Sequence, residues 1–566
     1  MQDEWHLTQF ASLFSFLPVY IWKVIEGSAD GIFIFVRCVY ILIHTALAIG
    51  IYVFFRKYKK WAIMASMIFY IQITYRIQAI SYQSMFVAFL LLLSLCLISI
   101  YEKKASHFYI LAGLCFGCCC VCNPLFCFGF PLYLVACLLW SKRQVLKEKL
   151  LAIKSTGKSD KEKKLTKKQR REQKQQLSES CADTENYNCF FSKEAVLRIS
   201  SGILIVAVIA VLFFALTGGT LASFFGNIEN LLGSSEYDLF SFSVFSKFIQ
   251  TFEYFSAANL GMPWLLPVLF VILLFDKNRR NNAHRIAYVA FAVAWSIMFM
   301  LVVLFTAEFK LFAASLPFCV LSTICYILTE NKNKPLFYCM FIPCLIASFF
   351  QYLAADTHLA AIGVVLAVNN IAGVFFAMDL WKEVRTSSEE ETETTGGKVF
   401  YTWCRRIIIV GFCLQILFYG IFYAYGQVPI KNAVKATNGP YSGLYMSQEQ
   451  YETYSKTIDD LDYIKSISGE KDPILIATYN NWMYLYLDRP MATYTTWYRG
   501  TLDSEQLTRY YKENPEKIPE YIYIESSDPQ GLMAQFGMEV ASEIFYFTSE
   551  ELSNGVLLTV EGCMLY

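Results

Sequence analysis

Long apolar runs recur along this 566-residue chain and decide its fold class. A helix needs about 20 mainly apolar residues to cross the hydrocarbon core of a bilayer. Runs of about that length cover 31–55, 61–80, 84–101, 107–122, 124–140, 198–217, 260–275, 286–305, 311–329, 336–353, 359–381 and 401–426. Only 17% of the residues are charged, whereas a soluble domain carries about a quarter. We therefore predict a mainly α-helical polytopic membrane protein with about 12 transmembrane helices.

Lys and Arg residues concentrate in alternate connections between these runs. They lie at 56–60, 103–104, 141–197, 277–280 and 332–334, and the intervening connections have almost none. Because short basic loops stay in the cytoplasm, all of these connections belong on that side. An even number of spans then places both termini, 1–30 and 427–566, outside the cell membrane.

Two cytoplasmic segments have biased composition. Residues 141–175 hold fourteen Lys or Arg against four acids, without apolar periodicity. Attraction to anionic lipid headgroups explains such a segment between two membrane spans, so we predict no nucleic-acid partner. The stretch 384–398, with three consecutive Glu residues, predicts a second flexible loop.

From about residue 446 the pattern changes to that of a soluble α/β unit. The sequence predicts an amphipathic helix over Tyr451–Ile467, a strand over Ile474–Ala477, a helix over Ser504–Lys512 and a strand over Tyr521–Ile524. Strand, helix and strand predict a small open sheet with helical cover. No glycine-rich phosphate loop occurs there, so nucleotide binding has no support. We predict a small extracytoplasmic C-terminal α/β domain over 427–566.

Polar residues at the outer side of the membrane region are the candidates for chemistry. Segment 1–30 carries Asp3, Glu4 and His6, followed by an apolar stretch, Phe10–Ile21, that is expected to lie along the membrane surface. Arg37 and Arg76 lie within about two turns of the outer ends of their spans. The remaining outer charges lie in the long loop 218–259 and in two short turns, Glu308 with Lys310 and Asp356 with His358.

Two interpretations of these outer residues stay open. A carboxylate there suits a general base acting on an acceptor hydroxyl, and an Arg suits bidentate binding of a lipid-linked phosphate. The plainer interpretation is that outer turns carry charges because they are solvated. Arg37 is the strongest candidate, because an Arg inside a span is costly and usually pairs or lines a polar cavity.

Neither metal ligands nor cysteines define a further site. Asp356 with His358, and Asp3 with His6, each offer only two ligands, and such pairs are common by chance. The neighbouring cysteines of one helix, Cys118, Cys119, Cys120 and Cys122, point in different directions and are interpreted as small apolar residues. The sequence requires no cofactor, and a divalent metal ion stays open.

The layout resembles the GT-C superfamily of polytopic glycosyltransferases, which use polyprenyl-phosphate-linked sugars as donors. The resemblance rests on Asp3-Glu4-Trp5-His6, an interfacial segment, and then Gly31 to Arg37, in the order which that family shows. It also rests on the tail, with Trp482-Met483-Tyr484-Leu485, Arg489-Pro490 and Ala492-Thr493. Within that superfamily it resembles the bacterial mannosyltransferase and arabinosyltransferase type.

The resemblance implies an enzyme that transfers a hexosyl or pentosyl group to a cell-envelope acceptor on the outer face. Asp3 or Glu4 would be the general base, and His6, Arg37, Arg76 and Lys310 would bind the donor phosphate or substrate. The partners implied are membrane lipid, a lipid-linked sugar donor, and a glycan, lipid or protein acceptor.

Two departures from the family pattern keep alternatives open. The family's first span precedes the acidic motif, and this sequence begins at Met1 without room for it, so we expect a truncated start or a lineage that lost the helix. The next outer loop, around Arg76–Ser84, has no acidic pair. The alternatives are a transporter or flippase of a lipid-linked or amphipathic substrate, and a catalytically inactive protein of envelope assembly.

Overall fold

A computed structural model gives the architecture of the chain. It describes residues 10–73, 78–103, 106–140, 142, 189–217, 265–279, 281–306, 310–329, 333–354, 359–390, scattered positions within 402–417, and 433–478, 480–496, 503–526 and 532–564. Most of the basic segment 141–197, the outer loop 218–259 and the turn 355–358 lie outside these residues.

The N-terminal two thirds of the described chain is helical. In chain order the helices are α1 (Ser12–Glu26), α2 (Ile32–Phe54), α3 (Lys60–Ile71), α4 (Tyr82–Lys103), α5 (His107–Cys122), α6 (Pro124–Trp140), α7 (Lys193–Leu216), α8 (Leu265–Phe275), α9 (Asn282–Thr306), α10 (Lys310–Leu328), α11 (Ile342–Ala354, after a short turn and a π-helical turn at Phe337–Phe341) and α12 (Leu359–Glu390).

By length and composition, six of the described helices can cross a membrane. They are α2, α4, α7, α9, the stretch Lys334–Leu353 that contains α11, and α12. Five further apolar helices in the described chain, α3, α5, α6, α8 and part of α10, are shorter. A helical, multi-pass membrane protein is therefore confirmed, and a total of twelve spans stays a prediction.

Two predicted boundaries are wrong. The run 61–80 forms a helix only to Ile71, where Gln72 takes an extended conformation and a His44 ring nitrogen lies 3.1 Å from the Tyr70 carbonyl oxygen. The predicted loop 384–398 begins too early, because α12 continues to Glu390. No Gly or Pro interrupts 381–390, and the Arg285 side chain donates to Glu383 over 3.3 Å.

Close packing at glycines joins α5 to α7. A Cβ at Gly113 would lie 2.1 Å from the Ile199 carbonyl oxygen, and one at Gly202 would lie 2.3 Å from the Ile110 carbonyl oxygen. Helix backbones approach this closely in membranes where small residues line the contact. On the same helix, Cys119 and Cys122 are buried and Cys118 and Cys120 are half-buried, so the predicted small apolar cysteines lie among packed helices.

The C-terminal α/β region, residues 433–564, contains six strands and four helices in its described part. They are β1 (Val434–Lys435), β2 (Tyr445–Met446), α13 (Gln448–Ile467), β3 (Ile474–Ala477), α14 (Trp482–Leu487), α15 (Ser504–Glu513), β4 (Tyr521–Glu525), α16 (Leu532–Ile544), β5 (Phe545–Glu551) and β6 (Gly555–Cys563). The four elements predicted from the sequence are confirmed, and β1, β2, α14, α16, β5 and β6 were missed.

A four-stranded sheet in the order β3-β4-β6-β5 forms the centre of the α/β region. Strands β3 and β4 are parallel, and β6 pairs antiparallel with both β4 and β5. Because side chains alternate across a strand, Ile474 and Ile476 pack with α13 and α14 on one face, whereas Leu475 and Ala477 pack with α15 and α16 on the other. The sheet is therefore covered by helices on both faces.

Candidate functional site

Most of the sequence-predicted site residues lie outside the described part of the structure. Asp3, Glu4, His6 and Arg76 are in undescribed segments. Lys310 begins α10, and its side chain is likewise outside the described part. The structure therefore neither joins these residues nor separates them, and their roles stay predictions. Among the predicted site residues, Arg37 is the one whose side chain is described.

Helix α1, Ser12–Glu26, contains most of the apolar segment Phe10–Ile21, which the sequence predicts to lie along the membrane surface. Its side chains at Leu17, Tyr20, Ile21, Val24 and Ile25 are exposed and form one stripe along the helix. Positions three and four apart share one helix face, so this stripe is an apolar surface. Such an exposed apolar stripe is what an interfacial helix presents to lipid.

The other side of α1 is tied to α2 and to the α/β region. The Trp22 indole nitrogen donates to the Asp30 carbonyl oxygen over 2.8 Å, and its ring stacks on Phe35 with centroids 4.8 Å apart. The Lys23 ammonium lies 2.8 Å from a carboxylate oxygen of Asp488. This ion pair is exposed and stabilises little by itself, but it joins two segments more than 460 positions apart.

The α/β region caps the first turn of membrane helix α2. The Gly31 amide donates to the Gly439 carbonyl oxygen over 3.0 Å, and the Phe33 amide donates to the Pro440 carbonyl oxygen over 3.3 Å. The first amides of a helix have no partner within it, so loop 439–440 supplies two of the missing acceptors. Phe33 also stacks on Tyr441, with ring centroids 4.7 Å apart. Helix α2 and the α/β region therefore meet in a defined joint.

A cleft of about 640 Å³ opens beside this joint. Its volume falls in the range of small-molecule sites, roughly 300–1,000 Å³. The lining combines one guanidinium, two carboxylates, two amides, two hydroxyls, four aromatic rings and two aliphatic side chains: Arg37, Glu449, Glu525, Gln450, Asn480, Thr453, Thr457, Tyr441, Tyr445, Tyr454, Trp482, Leu444 and Met446. Arg37 thus faces a water-accessible polar space, which is how a charge within a membrane helix is tolerated.

Glu525 forms the floor of the cleft at the carboxyl ends of β3 and β4. It is the last residue of β4 and is only 4% exposed. The Thr478 hydroxyl donates to its carboxylate, and the Asn480 amide nitrogen lies 2.9 and 3.0 Å from its two oxygens. Thr478 follows β3 directly, and its hydroxyl also accepts from the Asn480 backbone amide over 2.7 Å. In open α/β sheets, ligands bind at this edge of parallel strands.

Four aromatic side chains line one side of the cleft. Tyr441, Tyr454 and Trp482 contact one another with ring centroids 5.2 to 5.7 Å apart. Tyr454 is fixed because its hydroxyl donates to the Asn438 carbonyl oxygen over 2.8 Å. Tyr445 stands at the rim and is 70% exposed. The three contacting rings form a rigid aromatic wall, and Tyr445 extends it toward solvent.

The N-terminal half of α13 supplies the polar side of the cleft. The helix starts at a capping box in which the Ser447 hydroxyl accepts from the Gln450 amide and the Gln450 side chain accepts from the Ser447 amide. Gln450, Thr453 and Thr457 then fall on the same face at spacings of three and four. These three residues therefore line the cleft on one face of the helix. The Gln450 side chain is engaged in the capping box, and the Thr457 hydroxyl donates to the Thr453 carbonyl oxygen and accepts from the Asn554 side chain.

Opposite charges act on the Tyr441 phenol. Burial raises its pKa, the Arg37 guanidinium lowers it, and the Glu525 carboxylate raises it; the net shift is upward. Tyr441 therefore keeps its proton at neutral pH and remains a hydrogen-bond donor. A cation and a carboxylate are thus both close enough to Tyr441 to act on it, and they come from different parts of the chain.

Sequence reasoning found Arg37 but missed the rest of the cleft. A signal was present, because Thr478 and Asn480 follow the predicted strand 474–477 and Glu525 follows the predicted strand 521–524. Trp482 belongs to the tail motif on which the family resemblance rests, and that resemblance gives it no role. As for metal binding, no group of three or more His, Cys, Asp or Glu side chains forms a metal site among the residues described.

Comparison with known proteins adds no identification. No protein-family model matches the chain, and no curated protein matches it.

Proposed function

We propose that the protein is an integral membrane glycosyltransferase that moves a sugar from a polyprenyl-phosphate donor to a cell-envelope acceptor on the outer face. The cleft between α2 and the C-terminal α/β region is its substrate site. Arg37 holds the donor phosphate there. The α/β region is a separate extracytoplasmic domain, both termini lie on that side, and the twelve apolar runs all span the membrane.

The observation that carries the proposal is the position of Arg37. It lies on the second turn of a helix that can cross a membrane, and its side chain lines a polar cleft closed by the α/β region. A lipid-linked phosphate presents its charge at this depth, where the hydrocarbon ends. Arg is suited to such a phosphate because its planar guanidinium offers paired donors.

Chain topology gives the proposal a second support. The basic connections alternate along the sequence, which favours an outer position for the N-terminus of α2. The α/β region contacts that end of α2 through Gly31 and Phe33. A donor built on a polyprenyl chain reaches a site at this boundary with its chain in the membrane and its sugar outside.

The acid–base roles proposed for the N-terminal motif complete the mechanism. Asp3 or Glu4 takes the proton of the acceptor hydroxyl, and the phosphate leaves as the new glycosidic bond forms. His6, Arg76 and Lys310 bind the donor phosphate or substrate. Helix α1 follows this motif in the chain, and its exposed apolar stripe suits the membrane surface.

Transfer of labelled sugar from polyprenyl-phosphate donors in membranes containing the full chain tests this proposal. Of Asp3→Asn and Glu4→Gln, the variant that removes the general base is expected to abolish sugar transfer. Arg37→Gln is expected to weaken donor binding. Expression of all three variants is expected to be unchanged. Lys512→Gln, an exposed cation of the α/β region, is the matched control. Unchanged transfer in both acidic variants would exclude the proposed base.

The transporter or flippase alternative predicts a different result. Flipping of a lipid-linked substrate in liposomes would then require Arg37 but not Asp3, and no covalent product would form. Absence of both transfer and flipping would contradict the enzyme and the transporter and leave the catalytically inactive envelope-assembly protein as the alternative to test.

A further inference from the structure

The charges of the cleft are divided between its two walls. The only described cation in its lining is Arg37, on the membrane helix, whereas Glu449 and Glu525 belong to the α/β region. A ligand that fits both walls therefore has an anionic end toward the membrane and an uncharged, hydrogen-bond-donating end toward the sheet. A second phosphate against Glu525 would be repelled.

We propose that the wall of the α/β region is a saccharide subsite. Glu525 and Asn480 bind ring hydroxyls, and the C–H face of the sugar packs on the aromatic wall and on Tyr445. This inference rests on the proposed function and names the part of the substrate that each wall binds. It assigns to Glu525, Asn480, Trp482 and Tyr445 a role in recognising sugar.

The hydrogen-bond chemistry of the floor matches a pair of neighbouring hydroxyls. A carboxylate accepts hydrogen bonds from hydroxyl groups, and a side-chain amide both donates and accepts. The Thr478 hydroxyl and the Asn480 side-chain amide both donate to Glu525, so its carboxylate is oriented without a ligand. A preorganised acceptor binds with less loss of side-chain freedom than a mobile one.

The aromatic side distinguishes a sugar from other uncharged polar ligands. One face of a pyranose carries mainly C–H groups, and rigid aromatic rings contribute contact area at little entropic cost. Tyr441, Tyr454 and Trp482 hold one another in place. Tyr445, exposed at the rim, has its ring available for a ligand that extends out of the cleft.

Saturation-transfer NMR on the full chain in lipid nanodiscs tests the subsite. The probes are the methyl glycosides of glucose, mannose, galactose and N-acetylglucosamine, with short-chain polyprenyl phosphate lacking a sugar as a separate probe. We expect ring-proton signals from at least one glycoside in the unaltered protein. Glu525→Gln and Tyr445→Ala are each expected to weaken that binding by about tenfold.

Two controls keep folding separate from binding. Tyr445 is 70% exposed, so Tyr445→Ala leaves the packing of the region intact. Glu561→Gln removes an exposed carboxylate from β6 of the same sheet and is expected to leave glycoside binding unchanged. Near-ultraviolet circular dichroism of Glu525→Gln shows whether its aromatic core stays native.

The outcomes separate this inference from the proposed function. Absence of binding by every glycoside, or binding unchanged in both Glu525→Gln and Tyr445→Ala, overturns the saccharide subsite even where sugar transfer is active. The opposite outcome is a protein that binds glycosides through Glu525 but transfers no sugar and binds no polyprenyl phosphate. That outcome contradicts the proposed function and supports the saccharide subsite.

Discussion

The side-chain amide of Asn480 reaches both carboxylate oxygens of Glu525, at 2.9 and 3.0 Å, across the carboxyl ends of two parallel strands. Their pairing depends on the register of β3 with β4, in which Ala477 lies opposite Ile524. Thr478 and Glu525, the next residues after this pair along the two strands, therefore lie together at the carboxyl edge of the sheet. The same edge faces Arg37 of the membrane helix across the cleft.

Replacing Arg37 is expected to separate phosphate binding from folding. Arg37→Gln removes the only described cation of the cleft, and Arg37→Lys keeps the charge but loses the paired donors. We expect affinity for polyprenyl phosphate to fall by about tenfold or more in Arg37→Gln and by less in Arg37→Lys. Both affinities are measured by binding of polyprenyl phosphate to the protein in nanodiscs. Equal affinities of the unaltered protein, Arg37→Gln and Arg37→Lys would contradict the role of Arg37.

The loop that caps α2 depends on a glycine. Gly439 has φ +67°, and a Cβ there would lie 2.3 Å from the Tyr454 hydroxyl oxygen. Gly439→Ala is expected to destabilise the joint by about 2 kcal/mol, because both the left-handed backbone and the contact oppose it. Gly50→Ala, where a Cβ meets nothing within 4 Å, is the matched control. Thermal unfolding of the two variants makes the comparison, and equal midpoints would count against the joint.

Packing between α5 and α7 predicts a strong effect of added bulk inside the membrane. Gly113→Leu and Gly202→Leu each force the two backbones apart, since even a Cβ lies within 2.3 Å of a carbonyl oxygen. We expect a loss of about 1–3 kcal/mol or a failure to accumulate in membranes. Gly50→Leu on α2, where a Cβ meets nothing within 4 Å, is the matched control. Normal stability of both packing variants would show that the helices do not cross at these glycines.

Alkaline pH is expected to destabilise the α/β region. Burial raises the pKa of Tyr523 above its ordinary value of 10.0, with a further upward effect from Asp460, to which its hydroxyl donates over 2.9 Å. The unfolded chain therefore releases the Tyr523 proton first as the pH rises. Stability is fully present below pH 10 and falls as the pH rises above it.

Chemical unfolding followed by near-ultraviolet circular dichroism, at pH 8 and at rising pH above 10, measures this effect. Tyr523→Phe is less stable at pH 8, because the Asp460 carboxylate loses a donor, but its stability is expected to fall less steeply with pH. A pH slope identical to that of the unaltered protein would mean that other tyrosines carry the dependence.

Most of the membrane helices were predictable because an apolar run of about 20 residues is the length that a helix needs to cross a bilayer. Their ends were less predictable. Helix α3 ends at Ile71, directly after Tyr70, whose carbonyl oxygen lies 3.1 Å from a ring nitrogen of His44 on α2. Helix α12 continues past Val384, and Glu383 there accepts from Arg285 of α9. Such boundaries depend on tertiary partners that no local pattern contains.

Of the cleft residues, only Arg37 was predictable from the sequence. A cation within an apolar run is costly to bury in a membrane and therefore usually pairs or lines a polar cavity. Glu525 and Asn480 lie 45 positions apart, and each alone is an ordinary polar residue after a strand. They become a site only when β3 and β4 are neighbours, and a short-strand pattern does not specify which strands pair. Tyr441 and Trp482 likewise read as core aromatics until their contacts are known.

The most direct test of the central claim is a structure of the full chain with a short-chain polyprenyl-phosphate sugar. Our account predicts the phosphate beside the Arg37 guanidinium and the sugar against Glu525, Asn480 and Trp482, with the prenyl chain directed into the membrane. A ligand bound elsewhere on the protein, with the cleft empty, would contradict it.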